Sequence, residues 1–532
     1  MAVDESLREQ VETWMDHDPD PVTVDEARRL LLAGDAAALN DRFASSLQFG
    51  TAGLRGALGA GPNRMNRLVV RRAAAGVADY LLQQDPDAST YGVVVGFDAR
   101  HGSEQFAHDT ARVLAARGVR ALLLPARIPT PVLAWGITDL GAAAGVMVTA
   151  SHNPPTDNGY KVFLGDGAQI VPPHDAGISM CIEAAGLSVM LSAPDDPLIE
   201  YLDDRIVERY LDAAAAVRLS PATPGVTVAA TALHGVGGAL LGRAFVRAGF
   251  DAPVFVTSQQ EPDPDFPTVR FPNPEEPGVM DAVIDLAARS AAVVALANDP
   301  DADRLGVAIP VRSGGWRRLG GDEIGWLLAE HILSRTSGSD RLVITTLVSS
   351  SLLSRMAAAH GVQHRETFTG FKWIGRAALE SPSLRFVFGY EQALGYLVTN
   401  RPMDKDGITA AVMMAELAAC AVADGVTVED RLDAVRTTYG NLVTVERSVS
   451  MRPDRAAACV DALLSHPPAA VGGEGVTGVE GFPEAGLVRL WCGPVRLQVR
   501  PSGTEPKVKL YAEAEDRDPS ALLDALAALL VS

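Results

Sequence analysis

A chain of 532 residues is too long to fold around one hydrophobic core, so we expect several domains. Its 47% hydrophobic and 21% charged residues are ordinary for a globular protein and exclude a collagen-like or low-complexity chain. A formal net charge of −20 predicts repulsion from nucleic acid and from anionic membranes, so we expect no partner of either kind.

The cysteine pattern and the first residues predict a cytoplasmic location. Four widely separated cysteines form no CxxC pair, which is typical of reduced thiols. The first 18 residues are acidic and helical in pattern, without the basic start and apolar core of a signal peptide. No apolar run in the sequence is long enough to cross a bilayer.

Short apolar runs alternate with helical patterns through most of the chain. Segment 91–98 predicts a buried strand, and 103–118 predicts a helix with Ser103 as the candidate N-cap. Segments 121–126 and 142–150 predict two further strands, and the same alternation returns in three later regions, 225–257, the segment ending at 299, and 341–361. This order predicts α/β domains with largely buried sheets.

The last part of the chain has a different pattern. Segments 487–501 and 507–515 alternate like half-exposed antiparallel strands, and 519–531 predicts an amphipathic helix. We therefore expect a small α+β domain at this end. The predicted domains are 1–200, 201–320, 321–440 and 441–532.

The segment VMVTASHNPPTDNGYK (146–161) runs from a predicted buried strand into a loop that carries Ser151. Small residues before Ser151 allow a phosphate to approach, and the Pro-Pro and Asp-Asn-Gly sequences stiffen and turn the loop. A hydroxyl at the carboxyl end of such a strand lies where α/β sheets bind ligands. A structural turn with a surface serine is the alternative. A serine protease is disfavoured because the GxSxG turn is missing.

Three aspartates, Asp299, Asp301 and Asp303, follow another predicted strand at alternate positions, which places their side chains on one side of an extended backbone. Such carboxylates repel one another without a cation, and Mg²⁺ prefers oxygen ligands. Arg304 adds a fork-shaped donor suited to phosphate. An EF-hand is excluded because Arg304 and Pro310 replace its glycine and its glutamate. A solvated acidic turn is the structural alternative.

Two further loops contain residues suited to a phosphorylated sugar. Glu391, between Gly389 and Gly395, could accept two sugar hydroxyls, although an exposed loop glutamate is the better explanation when this residue is considered alone. In VRPSGTEPKVKLY (499–511), basic and hydroxyl side chains surround one turn and form a nest for a phosphate dianion. A plain hairpin turn would leave this cluster of donors unexplained.

These four segments, in this order, resemble the active-site loops of the α-D-phosphohexomutases, the phosphoglucomutase/phosphomannomutase superfamily. The resemblance covers roughly residues 40 to 515 and includes FGTAGLRG (49–56) and TGFKWIG (369–375). It implies three phosphoglucomutase-type α/β/α domains and a C-terminal α+β domain, similar to the TATA-binding protein, around a central cleft.

The resemblance also implies roles for individual residues, beginning with a phosphorylated serine. The implied catalytic residues are Ser151, His152, Lys161 and Arg55. The implied ligands of Mg²⁺ are Ser151, Asp299, Asp301 and Asp303. The implied substrate-binding residues are Arg304, Thr369, Lys372, Glu391, Ala393, Arg500, Ser502, Gly503 and Thr504.

The implied activity is an intramolecular phosphotransfer that interconverts sugar 1-phosphate and sugar 6-phosphate through a phosphoserine and a bisphosphate. Glucose 1,6-bisphosphate or an equivalent bisphosphate is the implied activator, a sugar phosphate the implied partner, and a monomer or homodimer the expected state. Many members have a serine two places after the glutamate, where this chain has Ala393. In this loop the chain resembles the subgroup that contains the eukaryotic phosphoglucomutase-2 type and related bacterial phosphosugar mutases, some of which act on pentose phosphates.

Several alternatives therefore stay open. A phosphopentomutase or a sugar-bisphosphate synthase would use the same fold. A metal-dependent phosphatase would not need the second phosphate loop at 500–504. A non-catalytic phosphosugar-binding protein would not need Ser151, the three aspartates and Lys161 together.

Overall fold

The computed structural model describes residues 3–220, 225–502 and 507–531. These residues form four β-sheets. Three are mixed sheets with helices packed against them, and the fourth is antiparallel. The predicted architecture of three α/β/α domains followed by an α+β domain is therefore confirmed.

The first sheet has six strands in the order β1-β5-β4-β2-β3-β6. Its strands are β1 (Leu54–Ala57), β2 (Val93–Phe97), β3 (Ala121–Arg127), β4 (Ala144–Val148), β5 (Asp157–Leu164) and β6 (Ile199–Tyr201). The helices of this part are α1 (Glu5–His17), α2 (Pro21–Ala33), α3 (Ala36–Phe43), α4 (Arg67–Gln84), α5 (Ala88–Tyr91), α6 (Ser103–Ala116), α7 (Thr130–Leu140) and α8 (His174–Ala184).

The predicted N-cap of α6 was wrong: Gly102 occupies that position, and the Ser103 hydroxyl donates to Asp98 Oδ1 (2.6 Å).

The second sheet has five strands in the order β11-β10-β9-β7-β8. Its strands are β7 (Val228–Thr231), β8 (Val254–Phe255), β9 (Val294–Asn298), β10 (Leu305–Pro310) and β11 (Trp316–Arg318). The helices are α9 (Arg205–Ala215), α10 (Gly238–Arg247), α11 (Thr257–Gln260) and α12 (Asp281–Arg289).

The third sheet has four strands in the order β13-β12-β14-β15. Its strands are β12 (Arg341–Thr346), β13 (Gln363–Thr367), β14 (Arg385–Glu391) and β15 (Gly395–Leu397). The helices are α13 (Gly321–Arg335), α14 (Leu352–Ala359), α15 (Phe371–Leu379), α16 (Gly407–Ala423) and α17 (Val428–Tyr439).

These three sheets share one topology. In each, three parallel strands are followed by a fourth strand that turns back antiparallel beside the third, and these fourth strands are β5, β10 and β15. The parallel strands β2, β4, β9 and β12 are buried along their whole length. Because helices cover such strands, their sequences are continuous apolar runs rather than alternating patterns.

The C-terminal sheet is antiparallel throughout, in the order β16-β21-β20-β19-β18-β17. Its strands are β16 (Leu442–Ser450), β17 (Ala470–Val471), β18 (Glu474–Phe482), β19 (Leu487–Cys492), β20 (Val495–Pro501) and β21 (Lys507–Glu515). Its helices are α18 (Pro453–Ser465) and α19 (Ser520–Val531), with a 3₁₀ turn at Pro483–Ala485. The helices cover one face of the sheet, which agrees with the alternating pattern of its strands.

Membrane-spanning helices were sought among the described residues. No single helix there combines the length and the apolar composition that a bilayer span requires. Helices α16 and α17 reach those values only when they are taken together, and a bend of 93° separates them.

Arg341, on β12, binds the ends of helices α13 and α14 through its buried guanidinium. It donates to the carbonyls of Leu333, Thr336, Gly338 and His360 at 2.8–3.0 Å. The side chain is 5% exposed, so water cannot replace these bonds.

We expect Arg341→Lys to lower the free energy of unfolding by about 2 kcal/mol, because an ammonium cannot reach all these carbonyls and leaves some unsatisfied. Urea unfolding followed by circular dichroism measures the change. The control is Arg385→Lys, whose side chain is 45% exposed and pairs with Asp340. Equal midpoints for the two variants would contradict the expectation.

Candidate active site

Three of the predicted site loops occupy equivalent positions in the three mixed sheets. Residues 149–156 join β4 to β5, residues 299–304 join β9 to β10, and residues 392–394 join β14 to β15. Each loop thus begins at the carboxyl end of a parallel strand, where open α/β sheets bind ligands. The sequence revealed no internal repeat, so this equivalence is a finding of the structure.

Ser151 is 3% exposed and has a φ of +52°, in the left-handed region that favours glycine. That backbone conformation costs a non-glycine residue about 1–2 kcal/mol. The Thr149 hydroxyl accepts a bond from the Ser151 amide (2.9 Å), and Ser151 Oγ donates to Asp299 Oδ2 (2.7 Å). The loop therefore directs the serine oxygen at the aspartates of the second sheet.

Asp299, Asp301 and Asp303 are fully buried, and one oxygen from each lies within 4.8 Å of the others. Within the described residues, Asp301 Oδ1 and Asp303 Oδ1 have no hydrogen-bond partner. Buried, unpartnered carboxylate oxygens grouped in this way are suitable ligands for a hard divalent cation such as Mg²⁺. The side chains present therefore fit the predicted metal.

Two lysines balance the charge of these aspartates. Lys161 Nζ donates to Asp301 Oδ2 (2.7 Å) and Asp303 Oδ2 (2.9 Å), and Lys405 Nζ lies 2.9 Å from Asp303 Oδ2. Burial alone would lower the pKa of Lys161, but the two carboxylates raise it above its usual value. Burial and the neighbouring carboxylates raise the pKa of Asp299. Lys405 was not among the predicted site residues, although its place between two aspartates was a signal.

His152 lies beside the serine oxygen, and Arg55 binds another residue of the same loop. His152 Nδ1 is 3.1 Å from Ser151 Oγ, and Arg55 Nη1 donates to Asn153 Oδ1 (3.2 Å). Burial, together with the charges of Arg304 and Arg55, lowers the pKa of His152 well below its usual value. Burial also lowers the pKa of Arg55. The serine oxygen thus lies between the His152 imidazole and the Asp299 side chain, and the positive charges of Arg304 and Arg55 act on that imidazole.

Arg304 connects the aspartate loop with the Glu391 loop. Its backbone amide donates to Asp299 Oδ1 (3.0 Å), and its Nη1 donates to the Ala393 carbonyl (2.9 Å). The same nitrogen lies 3.4 Å from Glu275 Oε2. Arg304 Nε is buried and has no partner among the described residues, so the guanidinium retains an unused donor.

The predicted substrate residues of the third sheet form a second group. Glu391 Oε1 accepts a hydrogen bond from the Gly370 amide (3.0 Å). Lys372 Nζ donates to Thr51 Oγ1, which lies in the segment just before β1. Burial lowers the pKa of Lys372 to about 8. Thr369 Oγ1 is buried without a partner among the described residues.

The C-terminal phosphate loop is described only in part. Arg500 Nη1 donates to the Pro501 carbonyl (3.2 Å), and the guanidinium carbon lies 5.9 Å from the Tyr511 ring centre. The Ser502 amide donates to the Lys507 carbonyl (2.8 Å). Gly503 and Thr504, both predicted phosphate ligands, lie outside the described residues.

Charges on β16 and β21 connect this last sheet with the aspartate site. Lys509 Nζ pairs with Glu446 Oε1 (2.8 Å). Burial, aided by the negative charge of Glu446, raises the pKa of Glu275. The positive charges of Arg304 and Lys509 lower it, but only in part. Charges on the C-terminal sheet therefore affect the pKa of Glu275, the partner of Arg304.

Comparisons with known proteins agree along the chain. Four phosphoglucomutase/phosphomannomutase domains match it: the α/β/α domains I, II and III at residues 46–188, 208–312 and 320–439, and the C-terminal domain at 450–528. A Haemophilus influenzae protein named "Probable phosphomannomutase" is 39% identical over 86% of this chain and 94% of its own length. A Schizosaccharomyces pombe "Probable phosphoribomutase" is 36% identical over 96% of this chain and 94% of its own.

A solved structure shares the fold. The phosphoglucomutase/phosphomannomutase family protein from Burkholderia thailandensis has a TM-score of 0.69 at 22% identity, covering 90% of this chain and 95% of that one. With the sheets and loops described above, these matches identify the chain as a member of the phosphoglucomutase/phosphomannomutase family within the α-D-phosphohexomutase superfamily of phosphotransferases.

Proposed function

We propose that this protein is a phosphosugar mutase in which Ser151 Oγ carries the phosphoryl group that is exchanged between sugar 1-phosphate and sugar 6-phosphate. One observation carries the proposal: the buried Ser151 oxygen lies 2.7 Å from Asp299 Oδ2, within the group of three aspartates. A surface serine in a structural turn would have no such surroundings.

In the proposed transfer, a sugar hydroxyl oxygen attacks the phosphorus of phosphorylated Ser151, and the bond between phosphorus and Ser151 Oγ breaks. A sugar bisphosphate and the free serine result. The attacking sugar hydroxyl loses its proton and the leaving serine oxygen gains one, and His152 Nδ1, 3.1 Å from Ser151 Oγ, is placed to give a proton to that oxygen and to recover one from the sugar hydroxyl. Arg304 has an unused buried donor that can stabilise negative charge on the transferring group.

Asp299, Asp301, Asp303 and the serine oxygen would hold Mg²⁺, which supplies positive charge for the transferring phosphoryl group. Lys161 holds two of these carboxylates in place through short ion pairs. We assign Lys161 to neutralising charge rather than to accepting the proton.

The bisphosphate must turn over before the serine takes back the other phosphate. The proposed phosphate loop, including Arg500 and Ser502, would bind whichever phosphate is distal, and Glu391 would bind sugar hydroxyls in both orientations. Burial of the site supports transfer over hydrolysis, because excluded water cannot attack the phosphoserine.

A pentose phosphate is the second candidate substrate. Ala393 contributes only its carbonyl, which Arg304 already occupies, so the loop offers the Glu391 side chain without a neighbouring hydroxyl at that position. A relative that aligns over nearly the whole chain is named as a phosphoribomutase. Both observations favour testing ribose and deoxyribose phosphates beside the hexose phosphates.

We expect product formation from at least one member of a panel of glucose, mannose, ribose and deoxyribose 1-phosphates, with a trace of the matching bisphosphate. Phosphorus NMR would detect the 6- or 5-phosphate. The Ser151→Ala variant should be inactive on every member, whereas Ser381→Ala, a buried serine bonded to the Ala377 carbonyl, should remain active. Free phosphate as the only product would instead indicate a phosphatase.

The activity should depend on the charge of Lys372. Burial lowers the pKa of Lys372 from 10.5 to about 8. The fraction of protein molecules in which Lys372 is charged therefore falls as the pH rises through 8. If the ammonium binds substrate, kcat/KM should fall above pH 8 by up to about tenfold per pH unit, since this ratio reports on the free enzyme.

The Lys372→Arg variant provides the control, because a guanidinium stays charged throughout this range. We expect its kcat/KM to stay level between pH 8 and 9.5, where the wild type declines. Identical alkaline declines in the two proteins would exclude Lys372 as their cause.

A further inference from the structure

We propose that Arg100 is a positioning residue that fixes Ser151 for phosphoryl transfer by binding the backbone of the serine loop. The inference rests on the proposed role of Ser151. Arg100 follows β2, in a different loop from the serine, and sequence analysis assigned it no role.

The guanidinium of Arg100 binds four carbonyls of the serine loop. Its Nη2 donates to Ser151 O (2.6 Å) and Asn153 O (2.5 Å), and its Nη1 donates to Pro154 O (2.7 Å) and Asp157 O (3.2 Å). The loop therefore wraps around one side chain over seven residues.

The Arg100 side chain is itself held on two sides. It is 1% exposed, and its Nε lies 3.5 Å from Asp98 Oδ2. Asp98 also accepts bonds from the Arg100 amide (2.9 Å) and the Ser103 hydroxyl (2.6 Å). The Phe266 ring, from the part of the chain that forms the second sheet, covers the guanidinium at 4.9 Å. The bonded groups leave this side chain little freedom to move.

The hydrogen bonds from Arg100 restrain the backbone of Ser151, whose conformation is unfavourable on its own. The serine has a φ of +52°, which isolated chains rarely adopt, so its backbone needs external support. The bond from Arg100 to the Ser151 carbonyl acts on the residue whose oxygen must be aligned with the phosphorus. Because a misplacement of about 1 Å can cost roughly 100-fold in rate, loosening this loop should affect turnover more than binding.

Arg341 offers a matched comparison within the same chain. It is also a buried arginine that donates to four backbone carbonyls, but all of them lie at or just after the ends of helices α13 and α14, away from the serine loop. A purely structural role for Arg100 would make the two arginines equivalent in their effect on catalysis.

The test compares Arg100→Lys with Arg341→Lys, measuring kcat, KM and amide hydrogen exchange of the 149–158 backbone. We expect Arg100→Lys to lower kcat about 100-fold, with KM within about threefold of the wild type, and to speed exchange in that segment about tenfold or more. Arg341→Lys should keep kcat and this exchange within about twofold of the wild type, even where its stability falls. Equal behaviour of the two variants would overturn the inference.

A second variant keeps the test decisive. If Arg100→Lys does not fold, Phe266→Leu removes the covering ring and leaves the four hydrogen bonds possible. A fall in kcat of at least about threefold with faster loop exchange supports the inference, and unchanged values overturn it. If the wild type forms no mutase product, the proposed function fails, while the exchange comparison still decides whether Arg100 fixes the loop.

Discussion

Three carboxylates buried within a few ångströms of each other repel one another strongly, and the arrangement of this protein's site depends on offsetting that repulsion. Lys161 and Lys405 supply positive charge on one side. Hydrogen bonds from Thr130 to Asp301 (2.6 Å) and from Ser151 to Asp299 (2.7 Å) supply donors on the other. Unpartnered oxygens remain on Asp301 and Asp303, and these make the group suitable for a divalent cation.

That balance requires contributions from three sheets, and their common topology explains how the chain provides them. In each mixed sheet, one loop connects the third parallel strand to the antiparallel strand beside it. One loop carries the serine, the next carries the aspartates, and the last carries Glu391. Arg304 joins the second loop to the third through the Ala393 carbonyl. The site is therefore a property of the assembled domains rather than of any one of them.

The sequence was sufficient to predict the buried strands and the residues that lie directly after them. Ser151 and the three aspartates could be found because each follows a continuous apolar run. Arg100 also follows such a run, and Lys405 lies between two aspartates, but the groups that give them a role in the site, the carbonyls of the serine loop and Asp303, lie 51 or more residues away along the chain, so those contacts cannot be read from the sequence. The shared sheet topology was also invisible, because it resides in strand pairing. Predicted domain boundaries near 200, 320 and 440 remain predictions.

The central claim is that Ser151 and the three aspartates form one cation site. A crystal structure of the protein soaked with Mn²⁺, with anomalous scattering recorded for that metal, tests it most directly. The account predicts one strong peak within about 2.0–2.4 Å of oxygens from Asp299, Asp301 and Asp303, and within coordinating reach of the serine oxygen or its phosphate. A peak elsewhere, or an ion among the aspartates with Ser151 turned away, would contradict it.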